Sequence, residues 1–434
     1  MGLACEIFHE VGDSLVSNAG NTGRRVDVLV VGAGPGGSTT AFHLARAGLD
    51  VMVVERSAFP REKVCGDGLT PRAVNALVRM GIDVDDPAFE RHGGLRIYSR
   101  KVTLELAWPA LSSYPGYGLV RTRAAFDELL ARRAEKAGAA IRERTEAVSP
   151  ILEGGWVTGA RVRSVEEPGA EPQDVHARFV IAADGASSRF AGQAGVRRDA
   201  TRPLGIAARR YFRTERHPGQ WLEVWMDLWD GDVIMPGYGW LFPLNDGVVN
   251  VGAGLLNTFK SFKDVSAQRV FDAFVRMLPE DFGVSEETAE GRTLSGPLPM
   301  GFSRSPSAVP GMLVVGDAAG LVNPFNGEGI AYAMESGELA AELIHDALVN
   351  DRPGLAHVYP AILHQRYGRY YSIGRVFVKM IGEPRVMRLL TDYGLQIRPL
   401  MRFLVRLMGN LSDGKDGGAQ DRLIYALERI APVA

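Results

Sequence analysis

The chain has 434 residues, 46% hydrophobic and 23% charged, the balance of a folded globular protein built as two domains or one large interleaved one. Its 49 basic and 51 acidic residues leave a formal charge of −2, so charge gives no argument for nucleic acid as a partner. Two cysteines, Cys5 and Cys65, exclude a disulfide scaffold and a four-cysteine zinc site, and the eight histidines lack metal-ligand spacing, so no metal is expected.

Residues 1–25 read as a loose leader without sustained periodicity, lacking the basic and apolar regions of a secretion signal. No apolar run reaches the ~18–20 residues that span a bilayer. The expectation is a cytoplasmic protein, soluble or held peripherally on the inner face of a membrane. Next comes an apolar run, Val26–Val31, bounded by glycine. A small-residue helix over about Gly36–Ala47 stops at Gly48, and a second run, Val51–Val54, ends at Glu55. This strand–turn–helix–strand order opens a parallel sheet.

Within it, Gly32-Ala33-Gly34-Pro35-Gly36-Gly37 carries the strongest signal. The first glycine permits the tight turn, Gly34 lets backbone approach a pyrophosphate, and Gly37 lets helix pack on strand. The helix start offers unpaired N–H groups to phosphates. Glu55, 18 residues after Gly37, is placed to accept from a ribose hydroxyl, with Arg56 beside it. A lone glycine fingerprint is weak. With both strands, the helix and the terminal acid it indicates an adenine dinucleotide, and the acid argues against a 2′-phosphate.

Residues 81–119 and 191–291 have another character, aromatic-rich and alternating apolar with polar, as in Leu204–Phe212 and Trp221–Trp229. That period indicates half-buried antiparallel strands. Two further strand-and-turn segments flank the second of these stretches: Val180–Ala183 followed by Asp184-Gly185, and Leu313–Val315 followed by Gly316-Asp317. Each alone is equally a plain strand-end turn. From about residue 351 the pattern is helical and basic.

Taken in this order, the three segments resemble the flavin-dependent superfamily related to p-hydroxybenzoate hydroxylase. The resemblance implies FAD, with Asp317 accepting from a ribityl hydroxyl and the helix starting near Gly327-Glu328-Gly329-Ile330 aimed at the flavin pyrimidine. Arg123 matches the superfamily's R-x-x-[FL]-D position. Further matches resemble the geranylgeranyl reductase family, and within it the bacterial menaquinone reductases. They are Pro60–Gly66 for P-x-x-x-x-C-G, Tyr238-Gly239-Trp240-Leu241-Phe242-Pro243 for Y-x-W-x-F-P, and Pro324–Ile330 for the third flavin loop. The implied fold is α/β, a Rossmann-like FAD-binding domain (26–80, 120–190, 292–350) interleaved with an antiparallel-sheet substrate domain (81–119, 191–291). A helical C-terminal region (351–434) completes it.

The resemblance also places Cys65 and Gly66 near the flavin, with Cys65 or the Tyr238 hydroxyl as proton donor. The other reading of Cys65 is a small buried hydrophobe. Tyr238, Trp240 and Phe242 either wall an apolar tunnel for a prenyl chain or form plain sheet core. The expected reaction is hydride transfer from reduced FAD to a prenyl double bond. With no second nucleotide fingerprint, NAD(P)H or another external donor would bind transiently. Between Gly374 and Met408, seven basic residues face two acidic ones, and Arg398, Arg402 and Arg406 recur every four residues among apolar ones. This basic amphipathic helix either lies on an anionic membrane or caps the domain. The alternative function is an FAD monooxygenase or halogenase, although the halogenase W-x-W-x-I-P pattern is absent from Trp221–Trp229. Composition and spacing leave the oligomeric state open.

Overall fold

Glycine-bounded apolar runs with no polar alternation have to be covered on both faces, and here they are the centre of a parallel sheet. The structure is a computed structural model that describes residues 24–217, 219–260 and 262–433. The expected leader lies outside these residues except for Arg24 and Arg25, which open the first strand, Arg24–Val31, by pairing with Val175 and His176. Every residue of Val28–Val31 and Val51–Val54 is buried. The parallel order across the sheet is Met312–Val314, Gln173–Ala182, Arg24–Val31, Val51–Val54, Ala140–Arg142. An antiparallel hairpin, Thr145–Glu153 with Trp156–Ser164, joins through Gln173–Ala182, which is why that strand begins well before Val180.

The helices Pro35–Arg46 and Ile330–Val349 pack together on this sheet. Small residues make the contact close. A Cβ on Gly337 would fall 2.5 Å from the Gly36 carbonyl oxygen.

The second sheet has seven strands in the order Ala289–Pro299, Leu204–Arg213, Val248–Leu256, Tyr238–Pro243, Trp221–Trp225, Gly94–Tyr98, Thr103–Ala107. It departs from the sequence expectation in two ways. Trp221–Trp225 and Gly94–Tyr98 run parallel, so the sheet is not wholly antiparallel. Residues 292–299 belong to it rather than to the nucleotide-binding sheet, because Ala289–Pro299 continues the ladder with Leu204–Arg213. Residues 90–92 and 118–120 form a small separate sheet with Gly68 and Leu69.

Alternation gives the seven-stranded sheet two unlike faces. Leu241, Val249, Val251 and Trp225 pack under the helix Ala267–Met277 with Val270, Phe271 and Phe274. Tyr238, Trp240, Phe242, Leu222 and Val224 point the other way. A one-residue slip would exchange the faces, and each misplaced large apolar side chain would cost roughly 1.5–3 kcal/mol. Over the second face lie C-terminal helices, Arg369–Ile381, Pro384–Asp392 and Arg398–Gly409, in a region with no strand among the described residues.

Trp240 lies flat across its neighbouring strand because residue 252 has no side chain: a Cβ on Gly252 would fall 2.1 Å from the indole ring. The ring cannot turn aside freely, since its N–H donates to Asn250 Oδ1 at 3.0 Å. Gly252→Ala should therefore overpack the sheet and lower stability by about 1–3 kcal/mol in denaturant unfolding.

Candidate active site

Arg24–Val31 and Gln173–Ala182 are neighbours at the centre of the sheet, with Val51–Val54 beyond the first and Met312–Val314 beyond the second. A crevice opens beyond their carboxyl ends, where open α/β sheets bind ligands. Gly32, at φ +100°, turns so tightly there that a Cβ would meet the Ala183 carbonyl oxygen at 2.5 Å. Gly37 lies beneath the turn, with a Cβ position 1.9 Å from the Gly32 carbonyl oxygen, and does not line the crevice.

The remaining site residues expected from the sequence line one cavity of about 830 Å³. Two helix starts face it: Pro35–Arg46 behind Gly34, and Ile330–Val349 behind Gly329, neither with a side-chain cap. Their free N–H groups and dipoles suit anionic groups, a pyrophosphate at the Pro35–Arg46 start and the flavin pyrimidine expected at the Ile330–Val349 start. Glu55 is buried. It accepts from the N–H groups of Ala33 and Ser57, both at 3.0 Å, and lies 3.4 Å from Arg61. A carboxylate has about four lone-pair positions, so capacity for a ribose hydroxyl remains. Arg56 follows at the exposed rim.

Asp184 Oδ2 accepts from the Phe190 N–H at 2.9 Å, while its Oδ1 is buried without a partner. Burial pushes this carboxyl above the ordinary aspartate value. Asp317 lies 3.9 Å from Lys63. Gly185, Gly316 and Gly327 have φ of +71°, +59° and +78°, which L side chains rarely adopt. An orphaned acceptor, two uncapped helix starts and glycine-lined walls fit an adenine dinucleotide with a ribityl chain. Glu55, Asp184, Asp317 and the turns 32–36 and 327–330 would hold it.

Arg123 borders the cavity, but its guanidinium is committed to Asp127 at 2.7 and 2.8 Å. It also approaches the Cys65 thiol, which burial pushes up and Arg123 pulls back. The Cys65 loop lies across the second sheet: a Cβ on Gly66 would fall 3.1 Å from Phe242 and 3.2 Å from Trp240. Tyr238 donates to the Asn326 carbonyl at 3.3 Å, and burial raises its hydroxyl to about 12. Cys65 and Tyr238 are thus neutral donors at physiological pH.

Past these residues the cavity becomes apolar. Leu95, Ile97, Leu222 and Val224 form one wall, and Met401, Leu404, Val405 and Met408 the other. Trp108 also lines it, its indole N–H donating to His92 Nδ1 at 3.1 Å, with burial holding His92 neutral at about 3. The apolar face of the basic helix Arg398–Gly409 is therefore turned into the protein, the capping alternative of the two sequence readings. Its i, i+4 spacing was visible in sequence, but the strands it covers were not. Sequence reasoning also passed over Arg61, Lys63, Thr70 and Glu328 as individual cavity residues. Arg61 and Lys63 could have been suspected from their place in the Pro60–Gly66 segment, and Glu328 from its place in the Gly327–Ile330 turn.

Comparison with known proteins agrees with this geometry. A family model described as FAD binding domain matches residues 25–351. The menaquinone reductase of Mycobacterium tuberculosis H37Rv is 36% identical, covering 92% of this chain and 97% of that protein. A digeranylgeranylglycerophospholipid reductase of Thermoplasma acidophilum is 32% identical over 79% of this chain and 84% of its own. Among solved structures, a geranylgeranyl bacteriochlorophyll reductase-like protein from the same organism superposes with TM-score 0.74 at 26% identity, over 89% of this chain and 98% of that one. A flavin-dependent brominase, TM-score 0.70 at 18% identity over 93% of this chain and 98% of that one, shares the fold.

Asp317→Ala should yield purified protein that has lost its flavin absorbance while keeping its far-ultraviolet spectrum. Full flavin occupancy in that variant would remove Asp317 from the cofactor site.

Proposed function

The chain belongs to the geranylgeranyl/menaquinone reductase family of FAD-binding proteins, and from that premise we propose that it saturates a carbon–carbon double bond in a prenyl chain, a menaquinone tail or a geranylgeranyl-type lipid. The observation that carries this reading is the two-part cavity: hydrogen-bonding and glycine-lined beyond the carboxyl ends of the parallel strands, apolar between the second sheet and the Arg398–Gly409 helix. A polyprenyl chain offers no polar handle along its length, so shape and apolar lining have to hold it. A monooxygenase acting on a small natural product needs a polar, oxygen-accessible pocket rather than this apolar lining.

FAD, when reduced, supplies the hydride. Trp240 and Phe242 fix the chain against the sheet, and the apolar arm excludes water from the bond being reduced. An unactivated alkene accepts hydride poorly, so a proton has to be held ready at the other carbon. Cys65 is assigned that role. Its thiol is kept neutral by burial, and the Arg123 guanidinium beside it stabilises the thiolate left after donation. Tyr238, neutral and bonded to Asn326, lines the same spot and orients the bond.

Electrons come from an external donor, NAD(P)H bound transiently or a quinol or protein. No described helix is long and apolar enough to cross a membrane. The reading adds peripheral contact with the inner face of an anionic membrane. Val376, Met380, Leu389, Tyr393 and Ile397 are exposed on the helical region, interspersed with exposed Lys379, Arg385, Arg388 and Arg398. The acidic residues among them are neutralised, Glu383 by Lys260 at 2.8 Å and Asp392 by Lys101 at 3.0 Å. Exposed apolar side chains with surplus positive charge suit an interfacial surface.

The test is anaerobic. Chemically reduced protein is mixed with menaquinone or geranylgeranyl lipid in detergent. Flavin reoxidation with a gain of two hydrogens in the lipid supports the reading; reoxidation only on admitting oxygen, with a hydroperoxide-like absorbance, would replace it with the monooxygenase. Cys65→Ala should keep FAD and lose reduction; unchanged turnover would demote Cys65 to packing. Val376→Asp combined with Leu389→Asp should abolish sedimentation with phosphatidylglycerol vesicles while leaving turnover in detergent intact, and wild-type sedimentation in that variant would remove the membrane surface.

A further inference from the structure

The roles above leave unused a patch of arginines beside the turn 184–189. Ser187 and Arg189 are exposed and also line the cavity, so they mark a point where its rim meets solvent. Half-buried Arg304 lies against the same turn, its guanidinium donating to the Ala186 carbonyl. Across a short two-stranded ladder Arg304 pairs with Arg198, which is exposed. Half-buried Arg375, on the helix Arg369–Ile381, joins through the segment that leads into Arg304. It donates to the Gly301 carbonyl at 3.4 Å and to the Ser372 hydroxyl at 2.7 Å.

This positive charge is not spent inside the protein. Asp199 is fixed within the patch by its N–H, which donates to the Ser303 carbonyl at 2.8 Å, but its carboxylate is taken by Arg202 at 3.1 Å. Among the described residues no carboxylate lies within ion-pair distance of Arg189, Arg198, Arg304 or Arg375. Arg304 Nε is buried without a partner. Burial depresses the Arg304 guanidinium, with Arg198 adding to the effect and Asp184 and Asp317 opposing it. Burial and the Arg202 charge push Arg375 down to about 10, against the pull of Asp199. Cations so placed favour an added negative charge. Arg198, Arg304 and Arg375 do not line the cavity, so they stand outside the cofactor's own space.

We infer that this patch seats the phosphates of a reduced nicotinamide dinucleotide, the hydride donor that restores the flavin; its purpose rests on the prenyl-reductase reading. Guanidinium groups pinned to main-chain carbonyls present a fixed fork, the geometry that takes phosphate oxygens in pairs. A quinol carries no phosphate to meet these charges, and a protein carrier would draw on exposed charge rather than on half-buried arginines. Hydride transfer needs donor and acceptor atoms about 3–3.5 Å apart. The nicotinamide therefore has to enter the cavity while the anionic remainder of the molecule stays on the rim. In that step the nicotinamide C4–H bond breaks, its hydride passes with both electrons to oxidised flavin, and the nicotinamide leaves as its oxidised cation.

The experiment follows the flavin alone. Anaerobic holoprotein mixed rapidly with NADPH or NADH should lose its oxidised-flavin absorbance. Arg304→Gln should raise the nucleotide concentration that gives half the limiting rate about tenfold, and Arg198→Gln by a smaller factor, with the limiting rate retained. Reoxidation of chemically reduced flavin by prenyl lipid, which bypasses the donor, should match wild type in both. Independently of activity, calorimetry should show ADP-ribose, which has the pyrophosphate but no nicotinamide, binding the Arg304→Gln holoprotein about tenfold more weakly than wild type. That difference should shrink as salt is raised. A flavin that neither nucleotide reduces, or an unchanged concentration dependence in whichever of the two variants folds, would overturn the inference. Arg198 is exposed, so its variant carries the test if Arg304→Gln does not fold. Flavin reduction with the expected losses but no reoxidation by prenyl lipid would instead overturn the reductase reading and leave the donor site standing.

Discussion

Asn250 is the joint on which the site depends. Fully buried in the middle of the second sheet, it donates to the Cys65 carbonyl at 2.8 Å and to Asp67 Oδ2 at 2.7 Å, and accepts from the Trp240 indole at 3.0 Å. One side chain thus ties the loop that follows the nucleotide-binding motif to the sheet that walls the apolar arm. Asp67, in a left-handed conformation, completes the joint by accepting from Tyr211 at 2.7 Å and from the Arg123 backbone at 3.1 Å. Burial raises its carboxyl to about 6 against the pull of these bonds. In so dry a setting an unmatched donor or acceptor costs about 1–3 kcal/mol, so the network holds one geometry rather than several.

That rigidity explains how a cavity can change character over a short span. On the cofactor side the walls are backbone turns, helix starts and carboxylates, which suit a polar, charged group. On the other side they are one face of a sheet and one face of a helix, which suit a hydrocarbon. Gly66, next to Cys65, lies close against Trp240 and Phe242.

The parts of this arrangement that were legible in the sequence are those set by local geometry. Gly32, Gly34 and Gly37 declare a turn whose backbone approaches are too close for any side chain, and Glu55 follows at a fixed distance along the next strand. Tyr238, Trp240 and Phe242 share a face because strands alternate. The periodicity of Met401, Leu404 and Met408 gave an apolar face, but an amphipathic pattern does not name what covers it, and here the partner strands, Trp221–Trp225 and Gly94–Tyr98, lie far earlier in the chain. The parallel pairing of Trp221–Trp225 with Gly94–Tyr98 was hidden for the same reason: register between distant strands is settled by packing, not by either strand's own pattern.

Glu328 was the hardest to read, because its chemistry comes from what other residues do. In sequence it is one acid in a glycine-rich turn. Its character is set by Arg72, 256 residues away, being already paired with Glu335, and by Thr70 occupying one oxygen and leaving the other bare. Were Arg72 free to pair with Glu328, the carboxyl would ionise more readily. The buried Arg72–Glu335 pair is costly to desolvate and adds little net stability on general grounds. Its consequence is electrostatic: with Arg72 held by Glu335, Glu328 keeps no ion pair of its own, and its Oε2, like Asp184 Oδ1, is buried on the cavity wall without a partner.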